Sequence, residues 1–130
     1  MVDPSEVALR CLIVDDNALF LEGAADLLRR EGLDVIGVAS NGAEAIRLVS
    51  ELRPDVTLVD IDLGDEDGLE VARQLSDNPA VQSKVILIST HSEEDLVDLI
   101  KESPAIGFLG KPSLSVATIR GLLETSGAAS

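Results

Sequence analysis

The sequence predicts a doubly wound α/β domain built on a five-stranded parallel sheet, and three observations carry that expectation. Five short runs rich in Val, Ile and Leu recur along the chain, stretches of helical periodicity separate them, and Gly or Pro punctuates the junctions. Parallel neighbours need a crossover connection, and right-handed crossovers lay helices on both faces of the sheet.

The apolar runs are Leu9–Val14, Val35–Ala39, Val56–Val59, Val85–Ile88 and Ala105–Leu109, each short enough for a strand buried on both faces. Between them Leu19, Phe20, Ala24, Leu27 and Leu28 repeat with helical spacing, as do Ala45, Val49 and Leu52, and then Leu69, Ala72 and Leu75. Helix starts are marked where a capping acceptor stands three residues before an acid: Asn41 with Glu44, Asp67 with Glu70, and Ser92 with Asp95. Stops are marked at Gly32, Pro54, Pro79 and Pro104. A last helix is expected over Leu114–Glu124, with Val116, Ile119 and Leu123 facing inward.

With 130 residues and 45% hydrophobic content, the expectation is a single domain across residues 1–130. Ten basic residues against 24 acidic ones give a net charge of −14, which disfavours direct contact with nucleic acid or an anionic membrane surface. Cys11, the single cysteine, lies within the first apolar run and reads as a small buried hydrophobe, so no disulfide forms within the chain. Met1–Glu6 is acidic and polar, and no apolar run nears membrane-spanning length, so a cytoplasmic location is expected.

In such sheets ligands sit beyond the carboxyl ends of the strands, so polar residues just after each apolar run should converge. Those residues are Asp15 and Asp16, then Asp60, then Ser89 and Thr90, and finally Lys111. Three carboxylates close together repel, and a hard divalent cation, Mg²⁺, is the natural neutralising partner. A carboxylate attacks phosphorus only when the phosphoryl oxygens are neutralised, work that the metal and Lys111 could share, with Ser89 donating to a remaining oxygen. Singly, each residue has a plainer reading: Asp15-Asp16 as a cap and solvated turn, Lys111 before Pro112 as a surface turn residue, Ser89-Thr90 as the start of a turn. Their placement after successive strands selects the functional reading. His91 reads as an exposed residue before a helix cap and is assigned no role. The acidic loop Asp60–Asp67 fails as a calcium loop of the EF-hand type, because Asp65 stands where that pattern needs glycine.

The set Asp15-Asp16, Asp60, Ser89 and Lys111-Pro112 resembles the receiver domain of bacterial two-component response regulators, over about residues 9–124. Pro54–Asp60, Asp67-Gly68 and Phe108, three residues before Lys111, extend the likeness. The resemblance implies a flavodoxin-like fold with strand order 2-1-3-4-5 and five helices. It also implies Asp60 as phosphoacceptor, Asp16 as a direct Mg²⁺ ligand, Asp15 as a ligand through water, and Asp62 as a ligand through its backbone carbonyl. Ser89 and Lys111 would hold the phosphate, and Ser89 and Phe108 would move together as the switch. Its implied partners are a sensor histidine kinase or phosphotransfer protein and a downstream effector or fused output domain, with a possible phosphorylation-dependent homodimer. The chain departs from the family where Gly64 replaces a frequent proline and Thr90 a usual small residue. Asp62 and His91 occupy positions that tend to set phosphoryl lifetime, and the expectation is a longer one.

Two rivals remain at this level. Asp60-Ile61-Asp62 also resembles the nucleophile motif of haloacid-dehalogenase-type phosphatases, with Asp62 as general acid, although residues 112–130 hold no aspartate and only Glu124. A pseudo-receiver would keep the fold without phosphotransfer, and the intact acidic set argues against it. No DNA-binding helix-turn-helix segment follows the last helix, so the chain reads as a standalone regulator or an excised receiver.

Overall fold

The computed structural model describes residues 9–78, 83–90 and 93–128. The chain runs β1 (Arg10–Val14), α1 (Ala18–Arg30), β2 (Asp34–Ala39), α2 (Gly42–Leu52), β3 (Val56–Asp60), β4 (Asp62–Leu63), β5 (Glu66–Asp67), α3 (Gly68–Asp77), β6 (Lys84–Ser89), α4 (Glu93–Glu102), β7 (Gly107–Gly110) and α5 (Val116–Ala128). A 3₁₀ turn, Lys111–Ser113, lies between β7 and α5.

Five strands form one parallel sheet in the order β2-β1-β3-β6-β7. Counted along the sheet strands alone, this is the expected 2-1-3-4-5. The difference in numbering comes from β4 and β5, a short antiparallel hairpin that the apolar runs did not reveal. Its strands have two residues each and largely exposed side chains, so they carry no hydrophobic signature.

Alternation along each strand divides the core between two faces. Cys11, Ile13, Leu58, Ile86 and Ile88 face α1 and α5, where Leu21, Leu28 and Ile119 meet them. Leu12, Val14, Val59, Val85 and Leu87 face the other layer, which Val49, Val71 and Leu75 fill from α2 and α3. Thr57, wholly buried in β3, satisfies its hydroxyl against Ser83 Oγ at 2.7 Å.

The marked helix boundaries have physical counterparts. Asn41 Oδ1 accepts from Glu44 N at 2.8 Å, and Glu44 Oε1 reaches back to Ser40 N at 2.9 Å. Asp67 Oδ1 accepts from Leu69 N to open α3. After α1 the chain reverses at Gly32, with φ of 98°, where glycine avoids the Cβ penalty. Arg53, ahead of Pro54, takes φ of 51°, and the Arg10 guanidinium donates to the carbonyls of Leu52 and Arg53 there. The expected Ser92–Asp95 cap and Pro79 stop lie outside the described residues or side chains. The 3₁₀ turn delays α5 from the expected Leu114 to Val116; Val116 and Ile119 are buried as expected, and Leu123 is half-buried.

The reading of α1 needs one correction. Leu19 is 81% exposed and Leu27 36% exposed, whereas Leu21, Ala24, Ala25 and Leu28 form the buried stripe. The Asn17 cap sets the helix phase, and that phase turns Leu19 to solvent. Leu28→Ala should therefore cost about 2–5 kcal/mol in urea unfolding, and Leu19→Ala no more than about 0.5 kcal/mol.

Candidate functional site

Each of the collected polar residues stands where a sheet strand ends. Asp15 follows β1, its backbone N–H still bonded to Ala39 O across the sheet. Asp60 closes β3 and pairs with Ile88, Ser89 closes β6 and pairs with Gly110, and Lys111 follows at once. Parallel order thus brings the ends of β1, β3, β6 and β7 to one rim.

There, one oxygen from each of Asp15, Asp16 and Asp60 lies within 4.8 Å of the others. Asp15 is wholly buried and Asp60 is 4% exposed, whereas Asp16 faces solvent. The Lys111 ammonium sits 2.7 Å from Asp15 Oδ2 and 3.0 Å from Asp60 Oδ2. Asp60 Oδ1 accepts from Asp62 N at 3.0 Å, and Asp15 Oδ1 from Asn17 N at 2.9 Å. Asp15 Oδ2 is a buried oxygen with no well-directed hydrogen bond, its compensation coming from the Lys111 charge.

Three carboxylates against one ammonium leave two negative charges in excess, with oxygen donors only. That donor set fits a hard divalent cation, for which a buried oxygen lacking a directed partner is a ready ligand. Burial raises the Asp60 carboxyl above its ordinary range; the Asp62 N–H and Lys111 pull the other way, and the Asp15 charge adds to the rise. Burial alone would lower the Lys111 ammonium, but its pairs with Asp15 and Asp60 outweigh this and raise it. The Cys11 thiol is pushed up to about 12 by burial, which leaves it inert in the core as expected.

The other expected residues take distinct places. Ser89 is buried at the rim. Phe108 is half-buried on β7, paired with Leu87, and packs toward the α2 and α3 layer. Asp62 is exposed at the start of the hairpin, and Thr90 is exposed after β6. His91 lies outside the described residues.

Sequence reasoning missed three contributors. Asn17 caps α1 by accepting from Leu19 N and Phe20 N, a role its place between two acids and a helical stretch could have shown. Phe20, read only as a core residue, lays its ring 4.3 Å from the Lys111 ammonium. The hairpin turns at Gly64-Asp65, with Gly64 at φ of 67°, a two-residue glycine turn of recognisable type. A Cβ on Gly64 would stand 3.0 Å from Asp16 Oδ2. Beyond that turn Glu66 Oε1 accepts from Gly42 N, the first residue of α2, at 3.1 Å. Gly68 answers a harder constraint, because a Cβ there would fall 1.9 Å from Asp60 O.

Removing the ammonium should leave buried charge uncompensated. Lys111→Ala is expected to destabilise the metal-free protein by about 3–5 kcal/mol in urea unfolding with EDTA, and added Mg²⁺ should raise its Tm more than the wild type's. Asp60 has a folded pKa above its unfolded one, so its contribution to stability is full below the ordinary carboxylate range and is lost as pH rises through the raised value. Metal-free Asp60→Asn should accordingly gain on the wild type as pH rises through that window, measured by urea unfolding at a series of pH values.

The profile of the response regulator receiver domain family matches residues 11–123. The transcriptional regulatory protein PdtaR of Mycobacterium tuberculosis is 30% identical over 106 residues, covering 82% of this chain and 51% of that protein. The probable transcriptional regulatory protein NarL of the same organism is 33% identical over 125 residues, covering 95% of this chain and 57% of that one. The chain therefore spans about half the length of these curated relatives. The solved signal receiver domain of the putative response regulator NarL from M. tuberculosis superposes with a TM-score of 0.78 at 31% identity, covering 92% of this chain and 97% of that domain. Fold, rim and relatives agree, and the chain belongs to the receiver domain family of two-component response regulators.

Proposed function

We propose that this receiver accepts a phosphoryl group on Asp60 from a sensor histidine kinase or phosphotransfer protein, with Mg²⁺ as cofactor. The observation that carries the reading is the buried Asp60 carboxylate beside a lysine and two further acids at the rim of the parallel sheet. In the transfer an Asp60 carboxylate oxygen forms a P–O bond as the P–N bond of the donor phosphohistidine breaks and the imidazole departs. Asp15, Asp16 and Asp60, with the Asp62 carbonyl, would hold the metal, which when bound supplies positive charge to the phosphoryl oxygens. Lys111 supplies further positive charge, and Ser89 donates a hydrogen bond to a remaining oxygen.

Asp60 is held for this role from both sides. Asp62 N–H fixes Oδ1, Lys111 attracts Oδ2, and the close approach of Gly68 fixes the backbone beneath. The acyl phosphate brings negative charge and strong acceptors to a rim where Ser89 and Lys111 can respond. Ser89 and Phe108 constitute the switch, changing a surface that serves a downstream effector, a fused output domain or a second copy of the chain. The domain acts as a switch and not as an enzyme with turnover. The net charge of −14 agrees with a protein partner and not with nucleic acid bound by this segment. Among the described residues no helix is long and apolar enough to cross a membrane.

Incubation with phosphoramidate and Mg²⁺, followed by intact-mass analysis, should add one phosphoryl group per chain. The addition should vanish with EDTA and in Asp60→Asn. Steady phosphate release at enzymatic turnover would instead support the phosphatase reading, and an unmodified wild type the pseudo-receiver.

A further inference from the structure

The Lys111 ammonium has a third neighbour besides its two carboxylates: the face of the Phe20 ring, 4.3 Å from ammonium to centroid. The contact is nearly dry, since the Lys111 side chain is 13% exposed. The ring is delivered by the chain itself. Asp15 Oδ1 accepts from Asn17 N, and Asn17 Oδ1 accepts from Phe20 N, so the first turn of α1 is anchored to the acid that Lys111 also binds. Asp15, Asn17, Phe20 and Lys111 close a ring of contacts.

Resting on the phosphoacceptor reading, we propose that Phe20 is a positioning residue that keeps Lys111 at the rim while its carboxylate partners are being taken by other groups. A cation at Asp15 and Asp60 draws on the same oxygens that hold the ammonium, and phosphorylation turns the Asp60 carboxylate into an acyl phosphate. An ammonium on a flexible four-carbon stem, deprived of both partners, is drawn out to water. The aromatic face attracts the ammonium through its quadrupole, is strongest when water is excluded, and is a partner that neither metal nor phosphoryl oxygen competes for. Lys111 thus stays within reach of the incoming oxygens through the transfer.

The test replaces Phe20 with 4-fluoro-, 3,5-difluoro- and 3,4,5-trifluorophenylalanine, which weaken the ring face at nearly constant shape, alongside Phe20→Leu and Phe20→Trp. Three readouts are taken on each full chain: the phosphorylation rate with phosphoramidate at saturating Mg²⁺, the Mg²⁺ Kd, and the ¹H shift of the Lys111 ε-methylene before phosphorylation. The expected result is an upfield Lys111 signal in the wild type that reverts in Phe20→Leu. The rate should fall stepwise with fluorine to about a threefold to tenfold loss, matched by Phe20→Leu and spared by Phe20→Trp. The Kd should hold within about twofold, because a phenyl ring offers a hard cation no oxygen ligand. A flat rate across the fluorinated series, or a Lys111 signal unshifted in the wild type, overturns the role of Phe20 alone. A shifted signal in a wild type that takes up no phosphoryl group overturns the phosphoacceptor reading, and this role with it.

Discussion

A buried ammonium shared by two carboxylates ties together three strand ends that are far apart in sequence. Lys111 follows β7, Asp15 follows β1 and Asp60 ends β3, so one cation spans most of the width of the sheet. Each partner needs the others: the acids are buried too deeply for water to compensate them, and the ammonium is largely withdrawn from solvent. The rim is consequently a place where the fold holds electrostatic tension in a defined geometry, and adding or removing one charge there alters every contact.

The surrounding structure serves to keep that geometry. Alternating side chains on five parallel strands bury one apolar set under α1 and α5 and another under α2 and α3, so the charged groups of the site stand at the strand ends. Helix caps then bind the loops to the rim. Asn17 links α1 to Asp15, and Gly68 lets the first residue of α3 lie against the carbonyl of Asp60. The charged centre and the two-layer packing are therefore a single construction, in which the core sets the strand register and the register sets the distances between charges.

Much of this was legible in the chain because strong, local signals carried it. Short runs rich in apolar residues announced the five sheet strands, and Asn41, Asp67 and Gly32 marked helix boundaries through chemistry that acts within a few residues. Asp15, Asp16, Asp60, Ser89 and Lys111 were collected by one topological rule, and the acids and lysine among them do meet. What escaped depended on helix phase or on contacts between distant segments. Leu19 and Phe20 look alike in an apolar pattern, yet the Asn17 cap turns one outward and the other toward Lys111. The β4–β5 hairpin has too few residues for periodicity to register, and its anchor on α2 joins residues 24 apart.

That anchor makes the acidic loop and the start of α2 one heritable unit. Glu66 occupies the space where a Cβ of residue 42 would be, at 2.7 Å, and in return accepts the N–H that α2 cannot satisfy within itself. A loop transplanted from a relative without the carboxylate would orphan that N–H, while a side chain at position 42 would expel the carboxylate. A chimaera that exchanges this loop between receivers keeps the contact only if it carries both segments together.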